Sequence, residues 1–438
     1  MKDSYLYEFN KSRYRTLANR QLPKKTGLTC TVVENGYLLP VRYAERILFG
    51  RGGVATEDGK FVQESAMYAN AKSIEVEPCT ENEIYLGEGY EFDGTGADAL
   101  YLDEDVIYLG YINSHWGHFL LDSVNRLYYA ISYQKEHKCR LAYIVNENCS
   151  YRMIPNIRRF FELAGINPEE ILFVNHITKA KRIFLPEQSY CIDSYYSQEF
   201  LDLFDRVAKA ADTDLFAPVD KVYYTRGLFG KARETECGEE IFVDLFQKNG
   251  FEIVSPERMT LDQQIALIRG NNLLAMEIGT IPHNLLFAEP GKKVILLNKT
   301  HNMNTAQMDI NLIREIDATY IDAYEACYPV PAGDGPFLLT YSEPLQKFVA
   351  DENWKQPEEA LVTVQAGEKR ARQYERNFRR RYYHHPEIRF CRDKKRFDYF
   401  PPELLTMYQE HYYRCVRPYR IGEIMDIQWR RVKRKLGK

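Results

Sequence analysis

Two histidines, a tryptophan and an aspartate lie close together in segment 110–129, which reads GYINSHWGHFLLDSVNRLYY. Apolar residues then recur at helical spacing, so we predict a helix in which His118 and Asp122 share one face, with His115 one turn earlier. A carboxylate beside an imidazole can take a proton from a hydroxyl at neutral pH. The pair therefore indicates a general base, and the plainer interpretation, a helix cap or a tied loop, stays open for these residues alone.

Composition limits the classes of protein to consider. With 438 residues, 45% hydrophobic and 13% aromatic, the chain favours more than one packed domain and argues against disorder. The net charge of -4, with both signs spread widely, argues against nucleic acid as the main partner. Nine scattered cysteines without a CxxC pair indicate neither a zinc site nor a disulfide framework, which is typical of a reducing cytoplasm. We predict neither a signal peptide nor a transmembrane helix.

The first 215 residues change from a β-rich to an α/β pattern. Residues 1–27 form a polar, Tyr-rich arm, and short strands separated by turn signals follow to residue 109. The sequence Asn35-Gly36 between two apolar runs predicts a β-hairpin. A buried strand over 106–111 leads directly into the helix that carries His118, and strands then alternate with helices.

The clearest α/β pattern covers residues 221–298. Strands are predicted at 221–226, 251–254, 273–277 and 293–297, with helices between them, which indicates a parallel, Rossmann-like half. The glycine fingerprint GxGxxG is missing, so a nicotinamide dinucleotide is not expected.

Open parallel sheets bind ligands at the carboxyl ends of their strands. The candidates that fall there are Thr225, Arg226, Arg233, Glu257, Glu277, Gly279, Thr280, His283 and Asn284. Two arginines can clamp a diphosphate, and a glycine before a helix N-terminus lets phosphate approach the backbone. The two glutamates can accept hydrogen bonds from a ribose or sugar hydroxyl. The plainer interpretations are surface salt bridges for the arginines and an ordinary turn for the glycine.

The last hundred residues loosen and then become basic. A helix is predicted from Pro357 towards Arg381, and the chain closes on the basic, Trp-bearing segment 428–435. This end is interpreted either as a solvated helix or as a surface that contacts an anionic membrane.

Several ordered motifs resemble glycosyltransferase family 61. They are the segment 118–122 with Arg126-Leu127, which is similar to the family's His-Trp-x-x-Asp helix, and then 222–226, 251–254, Pro256-Glu257, Leu261 with Gln264-Ile265, Gly279 with 284–287, and Pro290-Gly291. The resemblance covers roughly residues 105–300. It departs from the eukaryotic branch at Ile278-Gly279-Thr280, where that branch usually has His-Gly-Ala, while His283 lies nearby.

The resemblance implies an α/β, GT-B-like protein with two Rossmann-like halves facing a cleft. We expect an acceptor-side domain over 1–215 with a β-rich start, a nucleotide-sugar-binding domain over 216–330, and a basic helical extension over 331–438. It also implies an inverting transferase that moves a sugar from a nucleotide sugar to a glycan hydroxyl, in capsular or other surface polysaccharide synthesis. A cytoplasmic protein at the inner face of the cell membrane, with a lipid-linked acceptor, fits the basic C-terminus.

An inverting transfer needs a base and a stabilised leaving group. We assign the base to Asp122, with His118 as its partner or substitute, and the acceptor site to His115 and Trp116. The leaving diphosphate is assigned to Arg226, Arg233 and the helix after Gly279. No Asp-x-Asp stands at a strand end, so we expect neither a metal nor a cofactor. The alternatives are a hydrolase using His118 and Asp122, and a non-catalytic scaffold of a polysaccharide assembly complex.

Overall fold

The computed structural model describes residues 6–8, 21–42, 51–66, 73–74, 84–85, 92, 99–134, 137–215, 219–227, 235–300, 304–325, 335–382, 425 and 429. The described strands, in chain order, are β1 (Leu6–Tyr7), β2 (Lys24–Lys25), β3 (Cys30–Glu34), β4 (Tyr37–Arg42), β5 (Arg51–Ala55), β6 (Phe61–Val62), β7 (Ser73–Ile74), β8 (Ile84–Tyr85), β9 (Leu100–Tyr111), β10 (Arg140–Ile144), β11 (Ile171–Val174), β12 (Thr178–Pro186), β13 (Tyr190–Cys191), β14 (Tyr195–Ser197), β15 (Lys221–Tyr224), β16 (Glu236–Cys237), β17 (Glu252–Val254), β18 (Leu273–Glu277), β19 (Lys293–Asn298), β20 (Asp317–Asp322) and β21 (Phe337–Leu338).

The helices connect these strands. The α-helices are α1 (Trp116–His118), α2 (Leu127–Tyr133), α3 (Pro155–Ala164), α4 (Gln198–Ala210), α5 (Glu240–Lys248), α6 (Leu261–Gly270), α7 (Thr305–Ile313), α8 (Glu343–Asp351), α9 (Glu359–Val362) and α10 (Val364–Tyr382). A π-helical turn covers Phe119–Ser123, and 3₁₀ turns cover Gln63–Ser65, Pro168–Glu170, Thr213–Leu215, Pro256–Arg258 and Ile281–Phe287. No helix in the described part of the chain is both long and apolar enough to span a bilayer.

The second half of the chain builds a parallel sheet in the order β1-β20-β19-β18-β15-β17. Strands β15, β17, β18 and β19 confirm the predicted parallel unit, and β20 and β1 extend it. Counted from β15, the spatial order is 2-1-3-4-5, which reverses between β15 and β18. Ligands of doubly wound sheets bind at such a reversal, outside the carboxyl ends of the strands.

The first half builds a sheet with a parallel centre and antiparallel flanks. Its order is β11-β10-β9-β12-β4-β5-β6, and β3 also pairs with β12. Strands β9 to β12 pair in parallel, and their spatial order, 3-2-1-4, reverses between β9 and β12. The segment with His118 begins where β9 ends, so both halves place their candidate residues at a reversal of strand order. The mixed α/β architecture is thereby confirmed.

The hairpin predicted at Asn35-Gly36 is wrong. Strands β3 and β4 both pair antiparallel with β12, one after the other, and not with each other. Asn35 adopts a left-handed φ of 49° and donates its backbone N–H to Lys181, 2.9 Å away. The Asn-Gly step therefore interrupts one continuous run of chain, β3 followed by β4, that pairs along β12. The left-handed backbone conformation that suits a two-residue turn also suits such a bulge.

Two segments near the ends of the chain pack on its second half: β1 joins the parallel sheet, and α10 packs on the two-stranded sheet of β16 and β21. Leu6 pairs with Tyr320 in β20, and the Tyr7 hydroxyl donates to Asp351 Oδ2 at 3.0 Å, so these residues leave the half to which the sequence assigns them. The predicted C-terminal helix is divided at Thr363, and its second part buries Tyr374 and Phe378. The described residues of the basic segment 428–435 are limited to Trp429.

One hydrophobic core joins the two sheets, with residues such as Leu109 of the first sheet and Leu274 of the second. Helices α3 and α4 of the first half pack on α6 and on the 3₁₀ turn Ile281–Phe287 of the second. The rings of Phe204 and Phe287 lie 5.3 Å apart. Arg159 donates to both carboxylate oxygens of Asp262, at 2.8 and 2.9 Å, and this pairing lowers the pKa of Asp262.

Candidate functional site

The loop after β9 is held by short hydrogen bonds. The Ser123 hydroxyl donates to the Tyr111 carbonyl and accepts from the Asn113 N–H, each at 3.0 Å. The Asn113 side chain in turn accepts from the His115 N–H at 2.8 Å. Because Ser123 binds both the end of β9 and the loop that follows it, the π-turn Phe119–Ser123 is tied directly to the sheet.

His118 and Asp122 lie together on the predicted helix. The distance from His118 Nδ1 to Asp122 Oδ2 is 2.9 Å, and the side chains are 37% and 11% exposed. The helix is not regular, because α-helical geometry over Trp116–His118 widens to a π-turn over Phe119–Ser123. Such π-turns occur frequently at functional sites. The pair is thus held on a fixed backbone and still reachable from solvent.

His115 and Trp116 face the second half of the chain. His115 Nε2 lies 3.4 Å from Thr280 Oγ1, and the His115 ring lies 5.2 Å from that of His118. The Trp116 indole N–H donates to Asn284 Oδ1 at 2.6 Å, and the Asn284 amide donates to Gln264 Oε1 at 2.8 Å. The residues assigned to the acceptor site therefore form one of the direct contacts between the two halves.

Thr225 and Arg226 follow strand β15 at the reversal of the second sheet. The Thr225 hydroxyl and the Arg226 backbone N–H both donate to Glu239 Oε1, at 2.7 and 2.5 Å. The guanidinium Nε of Arg226 lies 3.2 Å from Glu236 Oε1. Thr225 thus shapes the turn, and Arg226 is held at both its backbone and its side chain. The two glutamates are absent from the residues predicted by sequence.

Gly279 lies beside the Arg226 guanidinium. Its φ of +156° is a conformation that residues with a side chain rarely adopt, and a Cβ there would lie 3.1 Å from Arg226 Nη1 and 3.6 Å from Lys299 Nζ. The missing side chain leaves the Gly279 backbone next to two cationic groups. This matches the close approach to a ligand expected at this position.

Three buried carboxyl groups lie behind Arg226. Oxygens of Glu236, Glu239 and Glu277 lie within 4.8 Å of one another. Burial and the neighbouring charge of Glu236 raise the pKa of Glu277 well above its ordinary value. Burial also raises the pKa of Glu239. Burial thus disfavours the charged form of both carboxyls.

Lys299 completes this cluster. It follows strand β19, its side chain is 7% exposed, and its ammonium lies 2.6 Å from Glu236 Oε1 and 3.7 Å from Glu277 Oε2. Lys299 is not among the residues predicted by sequence, although its position at the carboxyl end of a parallel strand is the signal that identified Arg226. An ammonium thus lies against two of the three carboxyl groups.

The short helix that the sequence predicts over 282–288, after Gly279, is a 3₁₀ helix, Ile281–Phe287. Pro282 has no N–H, and the His283 N–H donates to the Thr280 carbonyl at 3.2 Å. The amides available to a phosphate are therefore those before Pro282. The phosphate site predicted at a helix N-terminus is therefore reduced to the backbone N–H groups around Gly279 and Thr280.

His283 is buried next to Gly117, in the segment that carries His115 and His118. A Cβ on Gly117 would lie 2.9 Å from His283 Cδ2, so only glycine at 117 lets the two backbones approach this closely. His283 Nδ1 lies 2.9 Å from Gln307 Oε1, which assigns the proton to Nδ1 because an amide oxygen only accepts. Burial, assisted by the charges of His118 and His115, lowers the pKa of His283 to about 4. His283 is therefore neutral at pH 7.

The other predicted binding residues differ in how far they are exposed to solvent. Glu257 is exposed after β17, and Arg233 lies outside the described residues. Glu277 has a fully buried side chain beside Lys299, so its carboxyl is placed to act on Lys299 and not on a sugar hydroxyl. Asn284 is buried between Trp116 and Gln264, where it joins the halves.

Comparison with known proteins agrees with the resemblance seen in the sequence. Residues 116–295 match the family model described as Glycosyltransferase 61. No curated protein matches the chain. The matched region begins at Trp116, contains His118 and Asp122, and continues through Arg226, Gly279 and His283. Over residues 116–295 the chain is therefore similar to glycosyltransferase family 61.

Proposed function

We propose that the protein is an inverting glycosyltransferase that moves a sugar from a nucleotide sugar to a hydroxyl group of a glycan acceptor. The observation that supports this best is a contact between the segments that follow the two reversals of strand order. His115 contacts Thr280, and Trp116 donates a hydrogen bond to Asn284. His115 and Trp116 precede the imidazole–carboxylate pair, and Thr280 follows Gly279, which borders the cationic groups of Arg226 and Lys299. The contact therefore supports a cleft that the two groups share. A GT-B arrangement, with the acceptor on the first half and the donor on the second, fits these positions.

The first half supplies the base. In a single displacement the acceptor oxygen forms a bond to the anomeric carbon, its proton passes to the base, and the bond to the diphosphate oxygen breaks. We assign the base to Asp122 or to His118, which share one hydrogen bond at 2.9 Å. Either can hold the other in the orientation needed for proton transfer.

The second half stabilises the leaving group. As the bond to the sugar breaks, negative charge develops on the nucleoside diphosphate. The Arg226 guanidinium, fixed against Glu236 and facing the Gly279 backbone, is placed to receive that charge. Preorganised donors of this kind lower the barrier because they do not have to reorient during the reaction.

Metal-independent chemistry is part of this proposal. The three clustered glutamates offer oxygen ligands, but Lys299 and Arg226 lie within 2.6 and 3.2 Å of Glu236. A divalent ion would have to displace these cations from buried carboxylates. We therefore expect full activity in the presence of EDTA, and a requirement for added Mg²⁺ or Mn²⁺ would contradict this part of the proposal.

We further propose a role in the synthesis of a surface polysaccharide at the inner face of the cell membrane. The family resemblance and the basic segment 428–435 support it. A lipid-linked oligosaccharide would then be the acceptor. Binding of the full chain to vesicles with anionic lipid, compared with neutral vesicles, tests the membrane contact.

A ligand screen followed by turnover tests the proposed activity. We expect one of UDP, GDP, CDP or dTDP to raise the melting temperature, because a ligand bound only by the folded state stabilises it. The corresponding nucleotide sugar should release its nucleotide faster when a glycan acceptor is added. Release into water that no acceptor accelerates would indicate a hydrolase, and absence of any nucleotide binding would indicate a scaffold.

A further inference from the structure

Lys299 is a charged residue with a buried side chain, which is unusual for a lysine. Its side chain is 7% exposed, and a buried ammonium is costly unless it is paired. It pairs with Glu236 at 2.6 Å and approaches Glu277 at 3.7 Å. Arg226 approaches the same Glu236 oxygen from its Nε, at 3.2 Å. One carboxylate oxygen thus orients two cationic side chains.

The two cations converge on the same piece of backbone. A Cβ built on Gly279 would lie 3.1 Å from Arg226 Nη1 and 3.6 Å from Lys299 Nζ. These are contact distances, so both groups border the space that the missing side chain leaves open. That space lies at the carboxyl ends of β15, β18 and β19, next to the reversal of strand order.

A purely structural role for Lys299 does not account for this arrangement. If the lysine only neutralised Glu277, the protein would bury two charges where an apolar pair would serve as well. Glu236 holds both cations, at 2.6 and 3.2 Å, and both border the backbone of Gly279. The cluster therefore presents two cationic groups to the space where Gly279 has no side chain.

We propose that Lys299 is a second cationic ligand of the donor's diphosphate, which it binds together with Arg226 over the Gly279 backbone. This inference rests on the proposed function, because it concerns the donor of that reaction. Arginine binds phosphate oxygens through a planar fork, whereas lysine acts as a point charge. One arginine and one lysine can together bind two phosphate groups. Because a monophosphate lacks the second group, Lys299 favours a nucleoside diphosphate over a monophosphate.

The test compares Lys299→Met with Lys293→Met, which changes an exposed lysine at the opposite end of the same strand β19. Affinities for UDP and GDP, and for UMP and GMP, are measured by calorimetry. We expect Lys299→Met to weaken binding of the diphosphate about 10- to 100-fold and to change monophosphate binding much less. Lys293→Met should leave both affinities unchanged, and Lys299→Arg should restore part of the preference.

Folding is controlled with a second variant. Lys299→Met leaves Glu277 buried without an ammonium, so Lys299→Met/Glu277→Gln removes both groups, and thermal unfolding is followed for each. Equal loss of mono- and diphosphate affinity, or no loss, in a folded variant would overturn the inference and leave the proposed function intact. Failure of the unmodified chain to bind any nucleotide would overturn the proposed function, and the inference with it.

Discussion

The two groups of polar residues at the site differ in how far their side chains are exposed to solvent. In the front pair, His118 and Asp122 are 37% and 11% exposed and share a single 2.9 Å hydrogen bond. In the rear cluster, the side chains of Glu236, Glu277 and Lys299 are 1%, 0% and 7% exposed. A group that takes a proton from a substrate must be reached by it, whereas a group that stabilises developing charge must be held before the substrate arrives.

The difference follows from where each group lies in its fold. The front pair stands on a helix that begins beyond the end of β9, with a π-turn that projects its side chains. The rear cluster lies among parallel strand ends, where the polypeptide covers the carboxyls and burial raises the pKa of Glu277. Access and preorganisation are thus provided by separate halves, and the variants below test that division.

The largest effect is expected for Asp122→Asn. The change keeps the size of the side chain but removes its basicity, so transfer should fall by about 10³-fold. Binding of the nucleoside diphosphate to the rear cluster should be unchanged. Steady-state transfer rates and calorimetry measure the two properties. Asp105→Asn, at an acid that pairs with Arg182 away from the site, is the control, and full transfer by Asp122→Asn would remove this residue from the mechanism.

The next effect concerns His283, which lies between the two groups. Its pKa is lowered to about 4 in the folded protein, so protonation below the ordinary value of 6.5 favours the unfolded chain. The stabilisation is complete above pH 6.5 and is lost as the pH falls towards 4, a difference of about 3 kcal/mol. Denaturant unfolding from pH 4 to 7 measures it. His283→Gln should flatten this dependence, and an unchanged profile in that variant would contradict a buried neutral imidazole.

Arg226→Ala tests the rear cluster. Loss of a charged hydrogen bond to the diphosphate should weaken its binding by about 10- to 100-fold. The front pair should remain intact, but kcat should fall as well as donor affinity, because the guanidinium also stabilises the charge that develops on the leaving diphosphate. Calorimetry with nucleoside diphosphates measures the affinity. Arg258→Ala, at an exposed arginine near the end of β17, is the matched control, and equal affinities in the two variants would exclude the clamp.

The smallest effect is expected at the contact that joins the two groups. Trp116→Phe removes the indole N–H that donates to Asn284 Oδ1 at 2.6 Å. The free energy of unfolding should fall by about 1 kcal/mol, and donor affinity should not change. A double-mutant cycle with Asn284→Ala isolates the pair, with a coupling of about 1 kcal/mol expected. Zero coupling would mean that the bond does not hold the halves together.

Local patterns determined a large part of this molecule. Helical spacing predicted that His118 and Asp122 would meet, because side chains four residues apart lie on one face of a helix. Thr260 and Gln263 form a capping box with both hydrogen bonds present, and the Thr-x-x-Gln spacing that makes it is a local signal. The parallel unit of β15, β17, β18 and β19 was predictable for the same reason, since its periodicity and turn residues are local signals.

Tertiary structure decided what these signals could not. Asn35-Gly36 suits a hairpin and a bulge equally, and only the long strand β12 selected the bulge. Glu236 and Lys299 are 63 residues apart in the chain, and their ion pair forms because β16 and β19 meet in space. Burial sets the pKa values of Glu277 and His283, and burial is a property of the packed fold. The sequence by itself fixed which residues are available for chemistry, and packing decided which of them face a ligand and which support it from behind.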